Sequence, residues 1–298
     1  PNGGLPGKFG VIRRANLSKT TDYATRLVLS APKLDVENME DLRADFDYSV
    51  LPMTSAAANF FPFVIFHMRR FFENEFIGDT KYPIIDKDGS IIYGEIEDYQ
   101  IQFSDEMLKK ELDRFIHGYS DRFRPVKVLC RVKGKQEYLD LKWKGFYKEP
   151  DGKALQKERP LTWCDVIYMA CEESVKDRMI LITRYPIDTF YNEFATKIRL
   201  ASTIETEEAV FDDVVYTHYP KIRKEDIGKD TSSSFIDTMN ICNGYLDSIG
   251  GDYDGDMVTI KGVYTDEANA ELKKQLASNI HFINLGGNPV ISTSKESI

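Results

Sequence analysis

Residues 252–256 read Asp252-Tyr253-Asp254-Gly255-Asp256, three carboxylates at spacing two within five positions. Carboxylates this close repel strongly, and without a cation at least one is driven towards protonation. In a regular strand the spacing would put all three on one face, and Gly255 lets the backbone turn at φ values other residues resist. A hard divalent cation resolves the repulsion; Mg²⁺ suits one to three carboxylates, with its other positions left to water and phosphate oxygens. A calcium EF-hand loop does not fit. Counted from Asp252, its required Gly falls on Met257 and its required Glu on Val263. Spacing alone leaves a solvated acidic turn as the alternative.

The charge pattern sharpens this reading. The net charge is −9, from 39 bases and 48 acids, which argues against a protein that simply coats nucleic acid. Yet residues 1–33 carry six bases (Lys8, Arg13, Arg14, Lys19, Arg26, Lys33) against one acid, Asp22, while Asp247, Asp252, Asp254 and Asp256 crowd 247–256 without a base. A basic strip and an acidic knot in one chain suggest a polyanion and a metal ion handled together. The longest apolar run, Phe60 to Phe66, is far short of the ~20 residues that span a bilayer. The N-terminus lacks the apolar stretch of a secretory signal. It also lacks an initiator Met, so a processed chain or a fragment of something longer is expected. Cys130, Cys164, Cys171 and Cys242 form no CxxC pair, which excludes a recognisable zinc ribbon and fits a reducing cytoplasm. The four histidines (His67, His117, His218, His281) are scattered, with no pair spaced for catalysis or metal binding.

The 298 residues suggest about two domains or one elaborated domain. Ala24 to Ser30 reads as a strand. A helix from about Ala56 to Phe72 should kink or restart at Pro62. Hairpins are expected around Asp86-Lys-Asp-Gly89 and Lys133-Gly134, with a helix from Ser104 to His117 between them. Thr162 should cap a helix to about Lys176, with Asp165 in its first turn. Met179 to Arg184 and Val210 to Tyr216 each read as one strand, Ile241 to Ile260 as strand, acidic loop, strand, and Asp266 to Ser278 as a helix. The segment 76–160 reads as a self-contained α+β insert, and 226–234 as the most flexible stretch. The aromatic cluster from Phe60 to Phe72 is simplest as core or subunit interface.

The acidic motif resembles the metal-binding Asn-Ala-Asp-Phe-Asp-Gly-Asp loop of the β′ subunit of multisubunit RNA polymerases. Three further matches follow the same order. Lys8-x-Gly10-x-x-Arg13 with Lys19-x-x-Asp22-Tyr23-x-x-Arg26 is similar to the β′ switch stretch under the template strand. Leu51-Pro52, Ala56, Phe60, Pro62 and Phe63 resemble its Leu-Pro…Phe-x-Pro-Phe helix. Trp163 to Pro186 resembles its Trp-containing helix leading into Asn-Arg-x-Pro, with Arg184 and Pro186 matching. Thr265 to Ser278 tracks the helix that follows the loop.

The resemblance covers most of 8–75 and 161–285. It implies an α+β fold with a double-psi β-barrel catalytic core (20–75 and 161–264), a basic switch-like segment (1–19) and a C-terminal helical segment (265–298); the 76–160 insertion has no counterpart in the family, and an interface with another subunit is the role expected for it. It implies a DNA-directed RNA polymerase, a nucleotidyltransferase active only in assembly. Asp252, Asp254 and Asp256 would be catalytic and hold Mg²⁺, a second ion arriving with the nucleotide. Arg184 would contact the sugar of the incoming nucleotide, and Lys8, Arg13, Lys19 and Arg26 would contact nucleic-acid phosphates. The implied partners are a β-type subunit, the remaining β′ parts (clamp, bridge helix, trigger loop), DNA template, RNA product and nucleoside triphosphates, with no membrane and no zinc in this chain. The divergence suggests a split polymerase of a large bacteriophage, working in the host cytoplasm or carried in the virion. Gly250 stands where the family has Asn, Thr20 and Val11 where it has bases, and Thr189 where it has His. Ribose selection would then rest on another donor, such as Asn243. The alternatives are an RNA-templated polymerase of the double-barrel class and a scaffold whose loop holds a structural Ca²⁺.

Overall fold

The computed structural model describes residues 22–32, 44–76, 81–118, 120–148, 154–156, 159–187, 189–278, 282–283 and 286–291. Chain order begins with β1 (Ala24–Val28), β2 (Tyr48–Pro52), α1 (Met53–Asn59) and α2 (Phe61–Phe76). Next come β3 (Tyr82–Ile85), β4 (Ile91–Ile96), α3 (Tyr99–Gln102), α4 (Asp105–His117), β5 (Lys127–Val132), β6 (Lys135–Leu141), β7 (Phe146–Lys148) and β8 (Ala154–Gln156). The remainder is α5 (Trp163–Val175), β9 (Met179–Thr183), β10 (Glu193–Ala201), β11 (Thr206–Phe211), β12 (Val214–Pro220), α6 (Leu246–Ile249), β13 (Met257–Gly262) and α7 (Asp266–Leu276). Helix and strand each take about a third of the described residues, in sheets that pair mostly antiparallel neighbours, so the class is α+β as expected.

Three sheets organise the chain. The first has the order β1-β13-β9-β10-β2, antiparallel throughout except for the parallel β10–β2 pair. It curls until one short segment reaches both edges. Met239 bridges Leu29 beyond β1, and Asn240 bridges Val50 of β2, through bonds such as Ser30 N–H to the Met239 carbonyl (2.9 Å) and Val50 N–H to the Asn240 carbonyl (2.9 Å). The inward positions, Leu27, Ile180, Ile182, Val258 and Ile260, are buried. They alternate with the outward ones as a period of two requires. The second sheet, β12-β11-β7-β8, draws strands from both sides of residue 160, and β3 to β6 close into a small barrel of their own. Ile84, Leu108 and Val128 from that stretch share one apolar core with Leu51, Met68 and Ile167.

Local signals explain most elements. Pro62 restarts rather than kinks: α1 ends at Asn59, and Pro62 sits in the first turn of α2, where its missing N–H has no intrahelical partner to lose. Thr162 and Asp165 form a capping box on α5, with Thr162 Oγ1 accepting from Asp165 N–H. That helix is covered on almost every side, and a turn at its end delivers the chain into β9.

Two expectations are corrected. Val210 to Tyr216 is not one strand but the turn of the β11–β12 hairpin, because Asp212 and Asp213 take φ of 46° and 62°. Both angles are left-handed, and Asp tolerates that region better than most residues. The stretch from Ile241 up to the acidic loop is likewise not a strand. It forms a 3₁₀ turn (Asn243–Tyr245) and then α6.

Candidate metal centre

The acidic loop is shaped at both ends before any side chain is considered. α6 stops at Gly250, whose φ of 60° turns the chain, and Gly251 N–H reaches back to the Leu246 carbonyl at 2.9 Å. A left-handed residue closing a helix is the commonest use of glycine at that position. At the far end, Gly255 has φ of 116°, a conformation open to glycine alone at little cost. Leu29 N–H then takes the Asp256 carbonyl at 2.9 Å, pinning the loop to the end of β1. Tyr253 turns the opposite way and donates its hydroxyl to Asn243 Oδ1 at 2.5 Å.

The carboxylates therefore converge through a tight loop, not through strand alternation; residues 252–256 are outside any strand. Oxygens of Asp252, Asp254 and Asp256 lie within 4.8 Å of one another, with Asp254 exposed and the other two half-buried. The Asp252 N–H donates to Asp256 Oδ2 at 3.1 Å, closing the loop on itself.

Arg184 joins this group from β9. That strand pairs with β13, Thr183 opposite Thr259, so its C-terminal end lies beside the start of β13 and the loop before it. Arg184 Nη2 donates to Asp256 Oδ1 at 3.0 Å and lies 2.9 Å from Oδ2, while Nη1 reaches the Ile249 carbonyl at 3.4 Å. The electrostatics of the triad split accordingly. Asp252 is pushed above the usual carboxylate range, first by its close hydrogen-bonding contact with the Asp254 carboxyl and then by desolvation and the neighbouring negative charges. Asp256 is held below that range, first by its hydrogen bond from Arg184.

A donor set of carboxylate oxygens alone fits a hard divalent cation and does not suit the softer metals that prefer thiolate or imidazole. This triad can hold a metal ion, and it is the cluster of three or more such ligands found among the described residues.

The structure thus brings together Asp252, Asp254, Asp256 and Arg184, four residues singled out by sequence. Arg26 is exposed on β1, opposite Thr259 of β13, the strand that the acidic loop leads into. Lys8, Arg13 and Lys19 lie outside the described residues, as does His281. Asn243, suggested as a donor near the site, is engaged through its Oδ1 by Tyr253.

Sequence reasoning missed Asn192. Its Oδ1 accepts from the N–H (2.8 Å) and hydroxyl (2.9 Å) of Thr189, and its Nδ2 reaches the Ser248 carbonyl at 3.3 Å. It ties the segment after Arg184 to α6. The Thr-x-x-Asn spacing, a small capping box, was the available signal.

No known family model matches the chain, and no curated protein matches it. No described helix is long and apolar enough to cross a membrane.

Proposed function

We propose that this chain is the catalytic β′-type part of a DNA-directed RNA polymerase. The observation that carries the reading is the meeting of Arg184 with Asp252, Asp254 and Asp256 at one end of a curled sheet. The four are the residues that match the family's loop and its Asn-Arg-x-Pro motif. The sheet whose edges Met239 and Asn240 bridge is, on this reading, the double-psi β-barrel that presents the loop.

The reaction is attack of an RNA 3′-hydroxyl on the α-phosphate of a nucleoside triphosphate, directed by a DNA template. We assign Mg²⁺ to the triad, where it would lower the pKa of the attacking hydroxyl and offset charge on the reacting phosphate. Asp252, Asp254 and Asp256 bind and orient that ion, and Gly250 and Gly255 shape the loop that lets them converge. Arg184 stands at the rim, placed to meet the sugar of the nucleotide. Arg26, on β1, contributes a phosphate contact, and Lys8, Arg13 and Lys19 are assigned the same role from the family resemblance. On this reading a β-type subunit, a bridge helix and a trigger loop are also required, and the assembly works in the cytoplasm of a phage-infected bacterium.

The test is RNA-primer extension by the native assembly containing this chain, on matched DNA and RNA templates, with wild type and Asp254→Ala. Mg²⁺-dependent extension on DNA, lost by at least a hundredfold in the variant, is the expected result (about 2.7 kcal/mol or more in barrier). Undiminished extension by Asp254→Ala would place the chemistry elsewhere and leave the loop a scaffold. Preference for the RNA template would move the protein to the RNA-templated class.

A further inference from the structure

We infer that Arg184 sets the cation affinity of the triad by competing for Asp256, an assignment that rests on the metal-binding reading of this loop. Asp256 is the heavily engaged member of the three. Its Oδ1 accepts from Arg184 Nη2 at 3.0 Å, and its Oδ2 lies 2.9 Å from the same nitrogen. Oδ2 also accepts the Asp252 N–H at 3.1 Å. A carboxylate offers about four lone-pair positions, so Asp256 keeps roughly one for any other ligand, on Oδ1.

The guanidinium is held at a second point: its Nη1 is hydrogen-bonded to the Ile249 carbonyl at 3.4 Å, and its side chain is 24% exposed. One charge is therefore built into the same corner as the triad, cancelling one of its three negative charges. Asp252 and Asp254 have no such partner: among the described residues the ion pair that reaches the triad is Arg184–Asp256.

Two consequences oppose each other, and their sizes decide between them. Arg184 keeps Asp256 ionised and in place, which favours a cation. It also repels that cation and occupies its ligand oxygens. Asp256 is already positioned by the Asp252 N–H and by its own backbone bond to Leu29, so little orientation is lost without Arg184. A unit positive charge one hydrogen bond away from a ligand oxygen opposes a divalent ion by on the order of tenfold in affinity even at the dielectric of water. Competition wins.

The experiment is a titration of the full chain with Mn²⁺, following free ion by electron paramagnetic resonance, for wild type, R184Q, R184K and D254N. R184Q should bind Mn²⁺ about tenfold more tightly than wild type, while R184K, which keeps the charge, should stay much closer to it. Equal or weaker binding by R184Q overturns the inference, because Arg184 would then be an orienting group. R184Q also loses an anchor to Ile249, so a second measurement uses wild type alone. The side-chain Nε resonance of Arg184 should shift with Mg²⁺ and saturate as the site fills; no shift at saturation overturns the competition. Failure of the metal reading itself looks different: neither wild type nor R184Q takes up Mn²⁺, or D254N takes it up as wild type does.

Discussion

Asp165→Asn removes one charge and almost no volume, at a position where the surroundings state what that charge is for. The Asp165 side chain is fully buried, and the Arg159 side chain beside it is 3% exposed. Arg159 donates from Nη1 to Oδ2 at 2.8 Å and from Nη2 to Oδ1 at 2.9 Å. Thr162 adds its N–H (2.8 Å) and hydroxyl (2.7 Å), and Tyr219 its hydroxyl (2.5 Å). Every partner is a donor. Asn keeps one acceptor oxygen, turns an NH₂ group towards donors, and leaves the buried guanidinium without its paired carboxylate. Breaking a buried pair in this one-sided way costs about 3–5 kcal/mol. At roughly 2–4 °C per kcal/mol for domains of 150–250 residues, Tm should fall by about 10 °C.

Urea unfolding at pH 7, followed by circular dichroism, measures the loss directly. Burial alone would push Asp165 up, but the charge of Arg159 and the hydrogen bonds outweigh it and hold the carboxyl below its ordinary range. Its contribution is therefore present above the ordinary carboxylate pKa and lost as pH falls through the lower folded value. Wild type and D165N should converge in strong acid. A loss below about 1 kcal/mol at pH 7, the scale of an exposed pair, would refute the argument, as would a difference that persists unchanged in acid.

Two further outcomes follow from named positions. Gly255→Ala has room for its methyl, with no atom within 4 Å, but not the backbone, at φ of 116°; strain of roughly 1–3 kcal/mol should reshape the loop and weaken Mn²⁺ binding about tenfold, and unchanged binding would show that the turn is dispensable. Glu75 is buried with the Tyr82 hydroxyl at 2.6 Å and Lys144 at 3.3 Å, and burial pushes its carboxyl above the usual range. A raised carboxyl favours the folded state most below the unfolded pKa, an advantage lost as pH rises through the folded value. Relative to Glu75→Gln, wild type should lose stability between pH 4 and pH 8 in urea unfolding; the opposite slope would mean that Lys144 dominates.

What could be read from the sequence was local. The Thr162 cap with Asp165 in its first turn, the Asp86–Gly89 and Lys133–Gly134 turns and the start of the helix at Asp266 rest on signals within a few residues, and each formed where expected. The β11–β12 turn hid because Asp212-Asp213 carries no glycine and stands between the apolar pairs Val210-Phe211 and Val214-Val215, which read as one continuous strand. Chain reversal there depends on two aspartates accepting positive φ. At the site, the carboxylates were visible as a cluster because they are neighbours in sequence. Arg184 was visible only through a family motif. Its partner Asp256 lies 72 positions away, and no spacing rule links positions so far apart. That they meet is a property of the β9–β13 pairing, which the sequence encodes through packing.

The order in which the chain is made gives the bridging segment another meaning. β1 pairs with β13, Ala24 opposite Lys261, and the bridge at Met239 and Asn240 joins Leu29 to Val50 from late in the chain. Loop closure over such distances is slow to reward. During synthesis β2 can pair as soon as β10 has emerged, whereas β1 must wait for its β13 partner until Met257–Gly262 has left the ribosome. The cluster of acids takes shape at the same moment, since Asp256 is pinned by Leu29. A chain cut short just before β13 would carry the three aspartates without the strand pairing that brings Arg184 to them, so the full centre is a product of long-range sheet assembly.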